Sequence, residues 1–270
     1  MNAILSLLFS ALFVHAPAAP DCEYEAERAA TLDVTSAERL HIIARAGELR
    51  VEGVTGLTEV RVRGRACASD QSRLDETRIA TDLSGAVARV EAELPDAGGG
   101  WGNNYARLDL VIEVPAGFET RIEDSSGGLE ARNLGALDID DSSGEILVEN
   151  VGGPLHIQDS SGEITVRRAG GTVVIDDDSG EVEVAGIGGD IEITDGSGSI
   201  DIADVQGTVT LRDGSGDIDV EQVTGSVLVT VDGSGSIRVA DVQGDFTVES
   251  DGSGDVRYSR VGGKIRVASN

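Results

Sequence analysis

Eight aspartates open eight copies of one phrase. They are Asp124, Asp141, Asp159, Asp177, Asp195, Asp213, Asp232 and Asp251, and each is followed three residues later by the glycine that closes D-[SGD]-S-G. Their spacing is 17, 18, 18, 18, 18, 19 and 19 residues. Carboxylates repeated this regularly suggest two chemistries. Each Asp can accept the backbone N–H groups of the residues that follow it, forming an Asx-type turn. Alternatively, the set can hold calcium, a hard cation that takes several oxygen ligands.

The calcium alternative has a known template, the nonapeptide β-roll, whose coil is also two nines long. That motif places Asp two residues after its second glycine. Here Asp217 and Asp255 follow the glycine directly, and other copies carry Glu or Ser at that place. The turn reading therefore fits the residues better, and no cofactor is expected, with calcium as the alternative. The remaining candidates are few. Cys22 and Cys67 form an even pair in a chain that reads as exported, so one disulfide is expected between them. Trp101, Asn103, Asn104 and Tyr105 lie in the glycine-rich stretch DAGGGWGNNYA (96–106), where an aromatic ring beside amides suits sugar stacking. A Trp folded over a neighbouring core is the blander reading of the same loop. His41 and His156 stand apart from each other, and no G-x-S-x-G setting joins a strand to a helix. No catalytic residues are assigned.

The elements that position these residues follow from the same period. Two and four residues after each closing glycine the side chain is apolar, as at Ile146/Val148, Ile164/Val166 and Ile200/Ile202, apart from Tyr258 in the last copy. The seventh position is apolar throughout, and a second glycine comes two residues later in all but the first copy. A second alternating pair follows, for example Leu155/Ile157 and Val173/Ile175. Alternation with period two marks strands with one buried face. Each unit is thus strand, glycine turn, strand, Asp-Ser-Gly turn, and equivalent residues recur at equivalent places. That is the requirement for stacked coils, whose side chains form ladders. The expected fold is all-β: a parallel β-solenoid of about eight 18-residue coils with an N-terminal β-rich cap. A meander of antiparallel hairpins fits the alternation but has no need of uniform ladders.

Residues 1–20 read as a signal peptide, with an apolar run from Ile4 to Val14 and an A-x-A site at Ala16–Ala18. No Lys or Arg precedes that run. Residues 21–120 are expected to form the cap and to include a first coil, and 121–270 the repeats. GELRVEGVTGLTEVRVRG (47–64) already carries the unit, with Leu49/Val51, Val54, Gly56 and then Val60/Val62. DQSRLDETR (70–78) suits one or two helical turns, and 86–94 and 106–114 read as strands. Tyr258, Lys264 and Arg266 make the last coil more polar and basic; either they suffice as a cap or the open edge meets a partner.

Bulk properties narrow the function. The net charge is −28, which repels phosphate backbones and excludes nucleic acid as a partner. Aromatics make up only 3% of the chain, so the core must be aliphatic and narrow. The D-[GS]-S-G-[DES]-[IV]-x-[VI] phrase, the cysteine in RGRACASD (63–70) and the stretch WGNNYARLDLVIEVP (101–115) resemble a bacterial β-strand-repeat, adhesin-like family of unknown function (head-GIN-like). The resemblance implies a secreted or cell-envelope solenoid and supplies no catalytic residues. The leading expectation is a non-catalytic scaffold for structural or adhesion-type interaction in the periplasm, at the cell surface or outside the cell. Its partners would be an envelope protein, a glycan or its own copies through the C-terminal coil. The alternatives are a calcium-stabilised β-roll-like binding protein and a polysaccharide-active enzyme, the latter needing loop insertions to build a cleft. The uniform spacing leaves no room for those insertions.

Overall fold

The computed structural model describes residues 22–96 and 104–268. The expected signal peptide, Trp101 and Asn103 lie outside the described residues. Two twelve-stranded sheets face each other along the whole length. The chain enters through β1 (Tyr24–Asp33), β2 (Arg39–Ala46), β3 (Leu49–Val54) and β4 (Glu59–Ala68). A short helix, α1 (Gln71–Glu76), leads to β5 (Arg78–Ser84), β6 (Val87–Glu93), β7 (Ala106–Pro115), β8 (Glu119–Ser126) and β9 (Leu129–Arg132). Sheet 1 begins β1-β4-β7-β3-β9, and sheet 2 begins β5-β6-β2-β8. From β8 onward the chain adds one strand to sheet 2 and one to sheet 1 in every coil. Sheet 1 ends at Val256–Val261 and sheet 2 at Ile265–Val267.

Beyond β4 and β5 every pairing is parallel, and equivalent residues meet in register. Ile146 pairs with Ile164, Ile164 with Val182, Val182 with Ile200, and Ile200 with Ile218. Each of these side chains is fully buried. The aliphatic ladder is thus the interior, and the polar alternates form two outer faces. The meander alternative is excluded by the parallel register. The 19-residue step from Asp213 to Asp232 is taken up by a bulge: register shifts between Leu211 and Arg212, and the extra Thr230 donates its hydroxyl to the Leu211 carbonyl at 2.9 Å.

The closing glycines are required by contact. Gly198 has φ +149°, and a Cβ there would lie 1.5 Å from the Gly180 carbonyl oxygen of the preceding coil. A second positive-φ position went unread in the sequence. It lies six residues after each closing glycine, just before the buried seventh position, and includes Asn133, Asn150, Arg168, Gly186, Asp204, Gln222, Asp241 and Arg260. Only one of the eight is glycine. Several hydrogen-bond along the stack instead: Asn133 Nδ2 donates to Glu52, Asn150 Nδ2 to Asn133, Arg168 Nε to Asn150 at 2.6 Å, and Arg260 Nη2 to Asp241 at 2.7 Å.

One expectation is corrected. Residues 47–64 do not form a coil with a strand in each sheet. The strand that completes β3's coil is β2, which precedes it, while β4 returns to sheet 1, antiparallel to both β1 and β7. Val60 and Val62 mimic the repeat. However, β4 runs ten residues and pairs along its whole length with β1, a partner that no repeat strand has. The helix and the strands expected at 86–94 and 106–114 are present as α1, β6 and β7.

Candidate functional site

Strand parity determines where the aspartates go. In Leu155-His156-Ile157-Gln158-Asp159, positions one, three and five share a face, so Asp159 points inward with Leu155 and Ile157. The same holds at Asp177, Asp195 and Asp213. Asp124, Asp141, Asp159, Asp177, Asp195, Asp213 and Asp232 are all buried, with 1–5% of their surface exposed; Asp251 is partly exposed. The carboxyls form a file along one corner of the solenoid. Asp159, Asp177, Asp195, Asp213 and Asp232 pair in register, and Asp232 bridges to Asp251. Neighbours are therefore about 4.8 Å apart, the strand spacing.

In six of the seven, all but Asp232, one carboxyl oxygen has a fixed task. Oδ1 accepts the backbone N–H of Ser125 at Asp124 (2.7 Å), of Ser142 at Asp141 (2.8 Å) and of Ser160 at Asp159 (2.8 Å). It accepts from Ser179, Ser197 and Ser215 at Asp177, Asp195 and Asp213, at 3.1–3.2 Å. This is the Asx-turn geometry. The serines stack in turn, as Ser161 Oγ and Ser179 Oγ donate to the carbonyls of Ser142 and Ser160. Oδ2 is buried without a hydrogen-bond partner in all seven, and at Asp232 Oδ1 is too.

Burial without compensation disfavours the charged form. Desolvation pushes the Asp124 and Asp213 carboxyls up to about 7, and Asp177 up to about 6. It raises Asp141, Asp159, Asp195 and Asp232 in the same direction, partly offset at each by backbone N–H donors. Carboxylates facing the file add to the rise: stack neighbours at Asp124, Asp159, Asp177, Asp213 and Asp232, and Glu48, Asp140, Asp178 and Asp217 beside it. A protonated carboxyl can donate to the free oxygen of the next, so a partly protonated file satisfies oxygens that a fully ionised one would leave unpaired. Among the described residues, no group of three or more His, Cys, Asp or Glu side chains is arranged to hold a metal ion. The file is linear, whereas calcium needs oxygens converging on one point.

The other sequence candidates are distributed along the molecule. Cys22 and Cys67 are joined by a disulfide that fixes the start of β1 to β4. Asn104 is exposed. Tyr105 is half-buried and braced: its hydroxyl accepts from the Glu23 N–H at 3.3 Å, and its backbone exchanges hydrogen bonds with Ser69. His156 points outward between Asp138 and Asp176, with Nδ1 3.3 Å from Asp138.

The outer faces carry the remaining chemistry. Across sheet 1, register places Arg63, Val111, Arg50, Glu130 and Leu147 in one transverse row that continues to Thr165, Glu183, Asp201, Asp219, Arg238 and Arg257. Val111 is 44% exposed, and Arg50 pairs with Glu130 at 2.6 Å. A shallow hollow of about 490 Å³ lies over this arginine-rich and apolar end. Farther along, Glu183, Asp201, Asp219 and Glu221 line an acidic hollow of about 400 Å³. On sheet 2 a broader one of about 690 Å³ lies over His41, Arg121, Asp138, Leu155 and His156. All three are open to solvent along the face. Such surfaces can bind by hydrogen bonds, charge and stacking over an extended length.

No family model and no curated protein matches the chain. Three solved structures are similar over most of it. A candidate cell adhesion protein from Clostridium sporogenes is 14% identical, with 91% of this chain and all of that one covered, at a TM-score of 0.33. A candidate adhesin from Bacteroides fragilis is 12% identical over 90% and 97% of the two chains, at 0.34. Another from Parabacteroides merdae is 12% identical over 92% and 97%, at 0.43.

Proposed function

We propose that the protein is an exported, non-catalytic scaffold that binds an extended partner along its outer faces, in the manner of an adhesin. The observation that carries this is the graded row on sheet 1, where rigid, in-register strands present arginine and apolar groups at one end and carboxylates in the middle. Eleven strands hold that pattern over about 50 Å, with little side-chain or backbone freedom to lose on binding. A disulfide supports an oxidising compartment, since such bonds persist outside the cytosol. No helix among the described residues is long and apolar enough to cross a membrane. The partner class that suits the arginine-rich end is an anionic envelope glycan.

The test is binding to peptidoglycan, lipopolysaccharide and polygalacturonate by the purified protein, with each ligand's chain length measured afterwards. The proposal expects saturable binding to an anionic glycan, unchanged ligand length, and loss of binding in Arg50→Glu/Arg63→Glu. Shortened ligand would identify an enzyme. Binding indifferent to that double variant would move the site off this face.

A further inference from the structure

Both ends of the solenoid leave interior ladder positions uncovered by the described residues. At the Val256–Val261 and Ile265–Val267 end, Tyr258, Ile265 and Val267 are 49%, 41% and 38% exposed. Their counterparts one coil back, Val239, Phe246 and Val248, are buried. At the opposite end β1 and β5 are the edge strands. Ala26, Ala30, Leu32 and Ile79 are only partly buried there, and Leu83 is exposed. An edge strand with unpaired backbone groups and uncovered apolar side chains is a template for another strand.

Charge identifies the occupant. Residues 256–268 carry Arg257, Arg260, Lys264 and Arg266 and no carboxylate, in a chain of net charge −28. Arg257, Arg260 and Arg266 lean toward Asp255, Asp241 and Asp245, yet each side chain stays about 60% exposed. The opposite end presents Glu27, Asp33 and Asp82, with Glu25 held by Arg65 at 2.6 Å. Its Arg28 is turned onto the carbonyls of Leu74 and Thr77, and Arg78 is beside Glu93. Two basic ends brought together would repel, whereas a basic end against an acidic end attracts.

Strand direction agrees. β1 is antiparallel to β4, and β4 is antiparallel to β7, so β1 runs parallel to the repeat strands of sheet 1. A copy translated along the solenoid axis would set the Val256–Val261 strand parallel to β1, and Ile265–Val267 antiparallel to β5. Both are permitted ladders. We propose that copies of this chain associate head to tail, the basic C-terminal coil of one docking on the acidic β1/β5 end of the next. The contact is heterologous and open, so it propagates into filaments and does not stop at two. It goes beyond the glycan-binding reading and does not depend on it.

The test is sedimentation of the purified protein over a range of concentrations at low and high salt, with electron microscopy of the largest species. The expected result is mass growing past the dimer with concentration, with association weakened about tenfold or more at high salt as screening removes the attraction between the ends. Lys264→Glu/Arg266→Glu and Glu27→Lys/Asp33→Lys should each remain monomeric with an unchanged far-ultraviolet spectrum. Mixed together, the two variants set the acidic C-terminal coil of one against the basic β1/β5 end of the other, and the converse, so the mixture should regain association. Either variant mixed with wild type should shorten the filaments. A chain monomeric at every concentration, or one that stops at a dimer, overturns the proposal.

Discussion

The buried aspartate file predicts an unusual dependence of stability on pH. Asp213 is 1% exposed and its carboxyl is pushed up to about 7 from 3.8. In the folded chain it holds its proton up to about 7; in the unfolded chain it releases it near 3.8. Between those values the unfolded state binds fewer protons, so stability falls as pH rises, and the contribution is lost above about 7. A shift of this size corresponds to about 4 kcal/mol for one carboxyl. The aspartates on either side raise Asp213 further, so the file titrates as a unit and the measured loss is shared among its members. Asp213→Asn isolates the effect. The Asn side-chain oxygen can still accept the Ser215 N–H, and its NH₂ supplies the donor that a neighbouring Oδ2 lacks. The variant should be stabilised by about 2–4 kcal/mol at pH 8 and be close to neutral at pH 4. Guanidinium unfolding midpoints of both proteins at the two pH values measure this. Equal destabilisation of the variant at both would refute the reasoning, as would a wild-type chain more stable at pH 8 than at pH 5.

Other consequences of the structure can be checked the same way. Gly198→Ala places a Cβ 1.5 Å from the Gly180 carbonyl and should lower the thermal midpoint sharply or prevent folding, read by circular dichroism. Gln222 holds φ +59° without being glycine, so Gln222→Asn should stabilise by about 0.5–1 kcal/mol in chemical denaturation. Ile193→Ala opens a cavity in the ladder between Ile175 and Leu211 and should cost about 2–5 kcal/mol in the same assay. Reducing Cys22–Cys67, which closes a separation of 45 residues, should cost up to about 4 kcal/mol, read as a drop in unfolding midpoint with reductant.

The coil strands were legible because period-two alternation repeated eight times leaves one arrangement in which every ladder is apolar. The Asp turns were legible from residue type, but their burial was overlooked. Leu155, Ile157 and Asp159 share parity, so the sequence does place Asp159 inward. The positive-φ position was hidden because Arg168, Gln222 and Arg260 give no conformational signal by type; in the stack Asn150 holds Arg168 and Asp241 holds Arg260. The segment 47–64 misled because β4 copies the repeat's alternation while obeying a longer antiparallel pairing. The outer faces were the least readable. A row such as Arg63-Val111-Arg50-Glu130 exists only through register between strands far apart in sequence, and β7 enters between β3 and β4 from a later part of the chain.

The central functional claim is that the arginine-rich end of the outer row on sheet 1 binds an anionic glycan without chemistry. Hydroxyl-radical footprinting of the protein, free and saturated with the glycan it binds, measures this directly. Protection of Val111 and Leu147, with unchanged modification of the outward sheet 2 residues His156 and Val174 and with glycan recovered at full length, is the predicted result. Protection confined to sheet 2, or glycan recovered shortened, would contradict it.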